Sequence, residues 1–383
     1  MYTRLYKYPK SHSFFLIGPR GCGKSTWLKY QFPTAFYIDL LDQGLFQELL
    51  RNPEKFKQMI NQVENNKMII VDEIQRMPQL LNYVHQSIEE GRGLQFVLTG
   101  SSARKIRRNK ESNLLAGRAL QRTFNPLTAE ELSDDFDLIK SLKFGHLPMA
   151  YLSDQPIDYL KSYVGTYLRE EVQQEALTRN LTIFAKFLEI AAFSQGQPIS
   201  MQSIASDIGV DRKTVDSYVQ ILEDMLLSYR IPVFQKRAKR KMTTKPKFYY
   251  FDVGVYRVLR QLGPLDSEDE ITGVALETLV LQNLKAYFEN NNLDLQIYFY
   301  RSQSKLEVDF VLYGNDGFYA IEVKKSSQVR NNDLAHIREF AKDYPEAKLF
   351  YFYGGKDLLK TDDQIHIIPL AEALKNIKLY LKK

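Results

Sequence analysis

Phe14-Phe15-Leu16-Ile17-Gly18-Pro19-Arg20-Gly21-Cys22-Gly23-Lys24-Ser25-Thr26 decides how the chain is read. Four apolar residues make a short strand of the kind buried on both faces. The nine that follow match G-x-x-x-x-G-K-[ST] at every fixed position, and Trp27-Leu28-Lys29-Tyr30 continues as a helix. Glycines at this spacing let successive backbone N–H groups wrap a phosphate, and the helix N-terminus adds positive potential. In that arrangement Gly18 through Thr26 bind ATP, Lys24 reaches the β- and γ-phosphates and Ser25 ligates Mg²⁺.

Such a loop needs a carboxylate at the end of a second buried strand, and Met68-Ile69-Ile70-Val71-Asp72-Glu73 supplies it. Asp72 fits the metal role, and Glu73 is placed to polarise the attacking water. A third apolar strand, Leu94 to Leu98, ends in Thr99-Gly100-Ser101-Ser102, whose hydroxyls at Thr99 and Ser101 are candidate γ-phosphate sensors. Arg118 has two readings: a finger reaching the nucleotide of a neighbouring copy in a homo-oligomer, or an ordinary exposed arginine.

Working outward, 383 residues at roughly 100 to 200 per domain imply two or three domains. Apolar residues at 44% and charged residues at 26% exclude global disorder and low-complexity architecture. The apolar runs fall far short of the about 18 residues a membrane span needs, and the first ten residues lack the apolar stretch of a signal peptide. The single cysteine, Cys22, excludes an internal disulfide, and the five histidines show no zinc spacing. These features point to a soluble cytoplasmic protein with no membrane partner.

The chain resembles a prokaryotic family of AAA-type ATPases. The resemblance rests on Gly18 to Thr26, on Asp72-Glu73-Ile74-Gln75 with Pro78, on Leu98 to Ser102, and on Leu115-Ala116-Gly117-Arg118 followed by Asn125-Pro126-Leu127-Thr128-Ala129-Glu130-Glu131. It implies an N-terminal ATPase joined to a C-terminal domain similar to PD-(D/E)XK nucleases. The expected architecture is α/β. A P-loop parallel sheet with helices on both faces occupies 1–145, a helical linker 146–190, a winged helix-turn-helix 191–265 and a restriction-endonuclease-like α/β domain 266–383.

In the middle region, Gly209 sits in a short turn between two helices and Asp211 is placed to cap the second. Val215, Tyr218, Val219 and Leu222 give that helix one buried face. If the motif reads DNA, Arg212, Lys213 and Thr214 enter the major groove. Lys236, Arg237, Lys239, Arg240, Lys241, Lys245 and Lys247 then form a phosphate-binding strip. The competing reading makes the module a packing element and the strip a solvated run.

Farther on, Val308-Asp309-Phe310-Val311-Leu312-Tyr313 and Phe318-Tyr319-Ala320-Ile321-Glu322-Val323-Lys324 flank the turn-forming Gly314-Asn315-Asp316-Gly317. If Tyr313 pairs with Phe318, Asp309 lies opposite Glu322, a repulsion that a divalent cation removes. Lys324 shares the face of Glu322. Glu277 shares a helical stripe with Val280, Leu281 and Leu284, so a third carboxylate points toward a core-facing surface. Glu277, Asp309 and Glu322 are the candidate Mg²⁺ ligands, with Asp309, Glu322 and Lys324 catalytic, in the pattern the resemblance implies. Arg301 is a partner for Glu277 or a phosphate contact, and a Lys324–Glu307 ion pair is the structural alternative for the lysine. Two accounts remain: an ATPase governing a DNA-binding winged helix and a metal-dependent nuclease, or an ATP-switched protein whose later domains dock partners without cutting. Lys and Arg exceed Asp and Glu by 6 in residues 1–145 and by 4 in 146–265, and fall short by 4 in 266–383. DNA attraction therefore belongs to the first two segments.

Overall fold

The computed structural model describes residues 2–102, 115, 117–168, 180–235, 245–264, 266–302 and 306–381, with the side chains of 167 and 168 excepted. By its contacts the chain divides into two compact units. The smaller comprises Arg4–Pro126 with Asp224–Leu226, and the larger the remainder.

In the smaller unit five strands, β1 (Ser13–Ile17), β2 (Phe36–Asp39), β3 (Met68–Asp72), β4 (Gln95–Gly100) and β5 (Ala119–Thr123), form one sheet in the order β2-β3-β4-β1-β5. Every pairing is parallel. Side chains alternate across a strand, so the apolar runs must feed two cores. Phe15, Ile17, Ile69, Val71, Phe96 and Leu98 pack into one cluster with Leu49, Phe56 and Ile60, while Phe14, Leu16, Ile70 and Val97 pack into another with Trp27 and Leu28. This is the P-loop α/β fold. Its helix α1 (Lys24–Gln31) starts where β1 ends, and β1, β3 and β4 deliver their C-terminal ends to one edge.

The larger unit carries helix α2 (Met201–Ile208) and all but the last residue of helix α3 (Arg212–Asp224), joined through Gly209 at φ 72°. A three-stranded antiparallel sheet follows in the order β6-β8-β7, from β6 (Gln197–Pro198), β7 (Ser228–Ile231) and β8 (Lys247–Tyr250). Helix α4 (Glu268–Asn291) then leads to a six-stranded mixed sheet ordered β13-β14-β12-β11-β10-β9. Its strands are β9 (Leu295–Arg301), β10 (Glu307–Gly314), β11 (Gly317–Lys324), β12 (Lys348–Tyr353), β13 (Leu359–Lys360) and β14 (His366–Pro369). The β10–β11 hairpin has the expected register, with Tyr313 opposite Phe318 and Phe310 opposite Ile321. Val233 bridges to Phe299, and Phe234 N donates to Phe299 O at 2.7 Å, so the chain leaving β7 joins the edge of the six-stranded sheet.

This division differs from the one read in the sequence. Residues 127–145 count with the larger unit, where Ala129 N donates to Asn283 Oδ1 at 2.8 Å, and the middle and C-terminal regions form one compact body. Among the described residues no helix is long and apolar enough to cross a membrane.

Candidate functional site

Backbone geometry makes the loop after β1. Gly21 and Gly23 adopt φ of 79° and 93°, and a Cβ on Gly18 would lie 2.1 Å from the Phe124 carbonyl oxygen, so only glycine fits there. Gly23 caps α1 without a side chain, leaving the first-turn N–H groups available to an anion. Lys24 is buried and donates from Nζ to Gly18 O at 2.6 Å and Pro19 O at 3.1 Å, which holds its ammonium inside the loop. Cys22 is fully buried, Arg20 half-buried and Thr26 exposed.

Beside this loop, Asp72 is 2% exposed and both its carboxylate oxygens accept hydrogen bonds, one from the Tyr37 hydroxyl and one from Thr99 Oγ1. The Tyr37 hydroxyl also bonds Ser25, and burial followed by the charge of Asp72 pushes its pKa up. Ser25 and Asp72, the residues expected to hold magnesium, therefore converge on one phenol oxygen, and this oxygen-rich pair suits a hard cation. Glu73 takes φ 62°, with its N–H donating to Thr99 Oγ1 at 3.0 Å. Gln75 Nε2 donates to Glu73 Oε2 and, at 3.2 Å, to Ser101 Oγ. Thr99 thus bonds both Asp72 and Glu73 directly, and Ser101 reaches Glu73 through Gln75. Arg118 pairs with Glu89 at 2.5 Å on the surface. Sequence reading missed Tyr37 and Gln75, although Gln75 stood in a quoted motif.

The second cluster lies on the β10–β11 hairpin. Asp309 and Glu322 are 5% and 2% exposed. Lys324 Nζ stands 2.7 Å from Glu322 Oε1 and 3.6 Å from Asp309 Oδ2, and Val323 N donates to Asp309 Oδ2 at 2.8 Å. Glu277 accepts from Tyr249 Oη at 2.7 Å and faces Lys247 Nζ at 3.5 Å. Lys247, 1% exposed at its side chain, also pairs with Glu307 at 2.6 Å. Burial, then the charge of Asp309, pushes the Glu322 carboxyl up; burial pushes Glu277 up against the opposing pull of Lys247. The desolvation of Lys324 and Lys247 is outweighed by the surrounding carboxylates, which hold both ammonium groups charged.

Three expectations are corrected here. Arg301 pairs with Glu307 at 3.4 Å, and the cation facing Glu277 is Lys247. Lys324 pairs with Glu322 and Asp309, not Glu307, because residues two apart on a strand share a face. Lys247 is a buried cluster member instead of part of a phosphate-binding strip. Among the described residues no group of three or more His, Cys, Asp or Glu side chains is placed to hold a metal ion; Asp309 and Glu322 both face Lys324, while Glu277 faces Lys247. Glu322 Oε2 is nevertheless buried without a hydrogen-bond partner. A cavity of about 310 Å³ is lined by Lys324, the ion-pair partner of Glu322, with Lys325, Arg330, Asp333 and Tyr351.

On the helix-turn-helix, Asp211 accepts from Thr214 N and Thr214 Oγ1, each at 2.9 Å, so Thr214 is engaged in the cap. Arg212 and Lys213 are exposed, with Arg212 Nε 3.6 Å from Asp216. A cavity of about 300 Å³ is lined by Arg212, Arg230, Lys245, Ser200 and Gln202 among others. Lys236, Arg237, Lys239, Arg240 and Lys241 lie outside the described residues.

Residues 10–133 match the model of an AAA domain. Residues 136–266 and 272–373 match two domains of unknown function, DUF8612 and DUF4143. An uncharacterized protein of Haemophilus influenzae is 22% identical over 277 residues, spanning 63% of this chain and 68% of that protein. Uncharacterized protein MJ1637 of Methanocaldococcus jannaschii is 25% identical over 356 residues, spanning 79% of this chain and 73% of that protein. Among solved structures, the Aeropyrum pernix ORC1 protein in complex with DNA aligns over 66% of this chain and 87% of its own, at 13% identity and a TM-score of 0.28. The Aeropyrum pernix ORC2 protein aligns over 70% and 89%, also at 13% identity and 0.28. The N-terminal part of this chain is an AAA-type P-loop domain.

Proposed function

We propose that the chain binds and hydrolyses ATP and uses that cycle to govern a DNA-engaging larger unit. The observation that carries the ATPase reading is the convergence of the Gly18–Ser25 loop with Asp72 and Glu73 at one sheet edge. Magnesium, held by Ser25 and Asp72 when bound, supplies charge neutralisation for the phosphates. Lys24 adds positive charge within the loop, and Glu73 orients and polarises the attacking water. Lys24→Ala is expected to abolish tight nucleotide binding, and Glu73→Gln to keep binding and lose turnover. Calorimetric nucleotide titration with a phosphate-release assay checks both; unchanged hydrolysis in the two variants overturns the assignment.

The paired helices α2 and α3 with the β6-β8-β7 sheet support a winged-helix reading, in which Arg212, Lys213 and Lys245 contact DNA phosphates. The β10–β11 hairpin with buried Asp309 and Glu322, and the basic cavity lined by their partner Lys324, support a nuclease-like module that receives a phosphodiester. A second reading, an ATP-switched protein whose larger unit binds partners without cutting, is favoured by one observation: Lys324 and Lys247 already form ion pairs with the carboxylates among which they sit. Plasmid incubated with Mg²⁺ or Mn²⁺, with and without ATP, separates the two readings. Cleavage lost in Asp309→Ala and Lys324→Ala supports the nuclease, and intact plasmid from an active ATPase supports the second reading.

A further inference from the structure

Gln75 lies in the single turn Ile74–Arg76 that follows Asp72-Glu73, and it is 5% exposed. A carboxylate only accepts hydrogen bonds, so the amide nitrogen must face Glu73, and this fixes the orientation of the whole amide. Nε2 then serves Glu73 Oε2 and Ser101 Oγ together, while Oε1 is buried with no hydrogen-bond partner. An orphaned buried carbonyl is a cost that packing alone would not select, since leucine or methionine fills similar space. Gly100 makes room for it: a Cβ there would lie 2.7 Å from Gln75 Oε1.

Glu73 itself sits at φ 62°, a conformation few non-glycine residues adopt, and is held at both ends from the last residues of β4 and the one that follows. Its N–H is bound by Thr99 Oγ1, and its carboxylate is tied through Gln75 to Ser101. We infer that Gln75 is a positioning residue for ATP hydrolysis, bracing the Glu73 carboxylate against the end of β4 so that Thr99 in the strand and Ser101 just past it set where the base stands. This rests on the reading of Glu73 as the residue that polarises water. Gln75 is outside the Gly18–Ser25 loop, so its loss acts on turnover and leaves nucleotide affinity in place.

The test uses the full chain, measuring Mg·ATP turnover, ATP affinity and melting temperature for Gln75→Ala, Ser101→Ala and the double variant. Gln75→Leu, which fills the same volume, guards against a folding failure. Gln75→Ala and Gln75→Leu are expected to lower kcat about tenfold or more with ATP affinity within about twofold. Ser101→Ala is expected to lose less, and the double variant to be no slower than Gln75→Ala, because Ser101 acts through Gln75. A kcat near wild type in the Gln75 variants overturns the inference, as does strict additivity in the double variant. Parallel loss of ATP affinity and melting temperature also overturns it, by showing a merely structural role. A wild-type chain that binds ATP without hydrolysing it sinks the reading of Glu73, and Gln75 falls with it; wild-type turnover with intact Gln75→Ala sinks Gln75 alone.

Discussion

His146 and Asp252 show how single buried groups set the pH response of the larger unit. His146 is fully buried, its ring bonded to Leu127 O at 2.8 Å and Ser141 Oγ at 2.9 Å, and burial pushes its pKa down to about 4. Asp252, also fully buried, accepts from His146 N at 2.7 Å and from Gly254 N at 2.8 Å, yet burial pushes it up to about 6. A histidine with a depressed folded pKa contributes stability present above its unfolded value near 6.5, and that stability is lost as pH falls toward 4. Asp252 works oppositely: its contribution is full below about 3.8 and is lost as pH rises through 6. The two slopes offset over the same window. His146→Gln removes one of them, so the gap in melting temperature between wild type and variant should shrink between pH 7 and pH 4.5. A constant gap would show that His146 does not titrate as argued. None of this was legible in the sequence, where His146 was one of five scattered histidines. The Gly18–Thr26 loop was legible because its chemistry is local, whereas Tyr37 reaches Asp72 across 35 residues and Gln75 reaches Ser101 across 26.

Strand β8 is the element whose role changed most. Residues two apart share a face, so Lys247 and Tyr249 both reach Glu277, and Lys247 reaches Glu307 as well. In the sequence Lys247 closed a run of seven cations, and a run is read as a solvated or phosphate-facing strip because sequence order says nothing about which member turns inward. The β10–β11 register was legible for the opposite reason, since a four-residue turn fixes every pair beyond it. Removing a buried cation leaves carboxylates unpaired. Lys247→Met should therefore destabilise the larger unit by about 3 to 5 kcal/mol. Adding Glu277→Gln should recover part of that loss, and thermal or urea denaturation of the single and double variants measures the coupling. At the other helical element, Asp211→Ala removes the cap of α3 and should cost about 1 kcal/mol.

At the scale of the molecule, contacts group residues 127–145 with the larger unit, a grouping that tertiary partners decide. Leu127 N donates to His146 O and Ala129 N to Asn283, neither of which leaves a local trace. The charge balance was legible, and it carries the last prediction. The final 118 residues hold 15 basic and 19 acidic side chains, so that segment repels a polyanion on average. If the larger unit engages DNA, the attraction must come from the cations near α3, with Arg212 and Lys213 exposed and Lys245 beside them at the cavity on α2. Each phosphate neutralised steepens the dependence of log K on log salt by about 0.9. Replacing Arg212, Lys213 and Lys245 together by alanine should weaken binding of a short duplex and flatten that slope by about 2 to 3 units. Fluorescence anisotropy from about 50 to 200 mM salt provides the measurement. A triple variant with the wild-type slope would mean that these side chains do not touch phosphate, and would move the DNA contact elsewhere or remove it from the account.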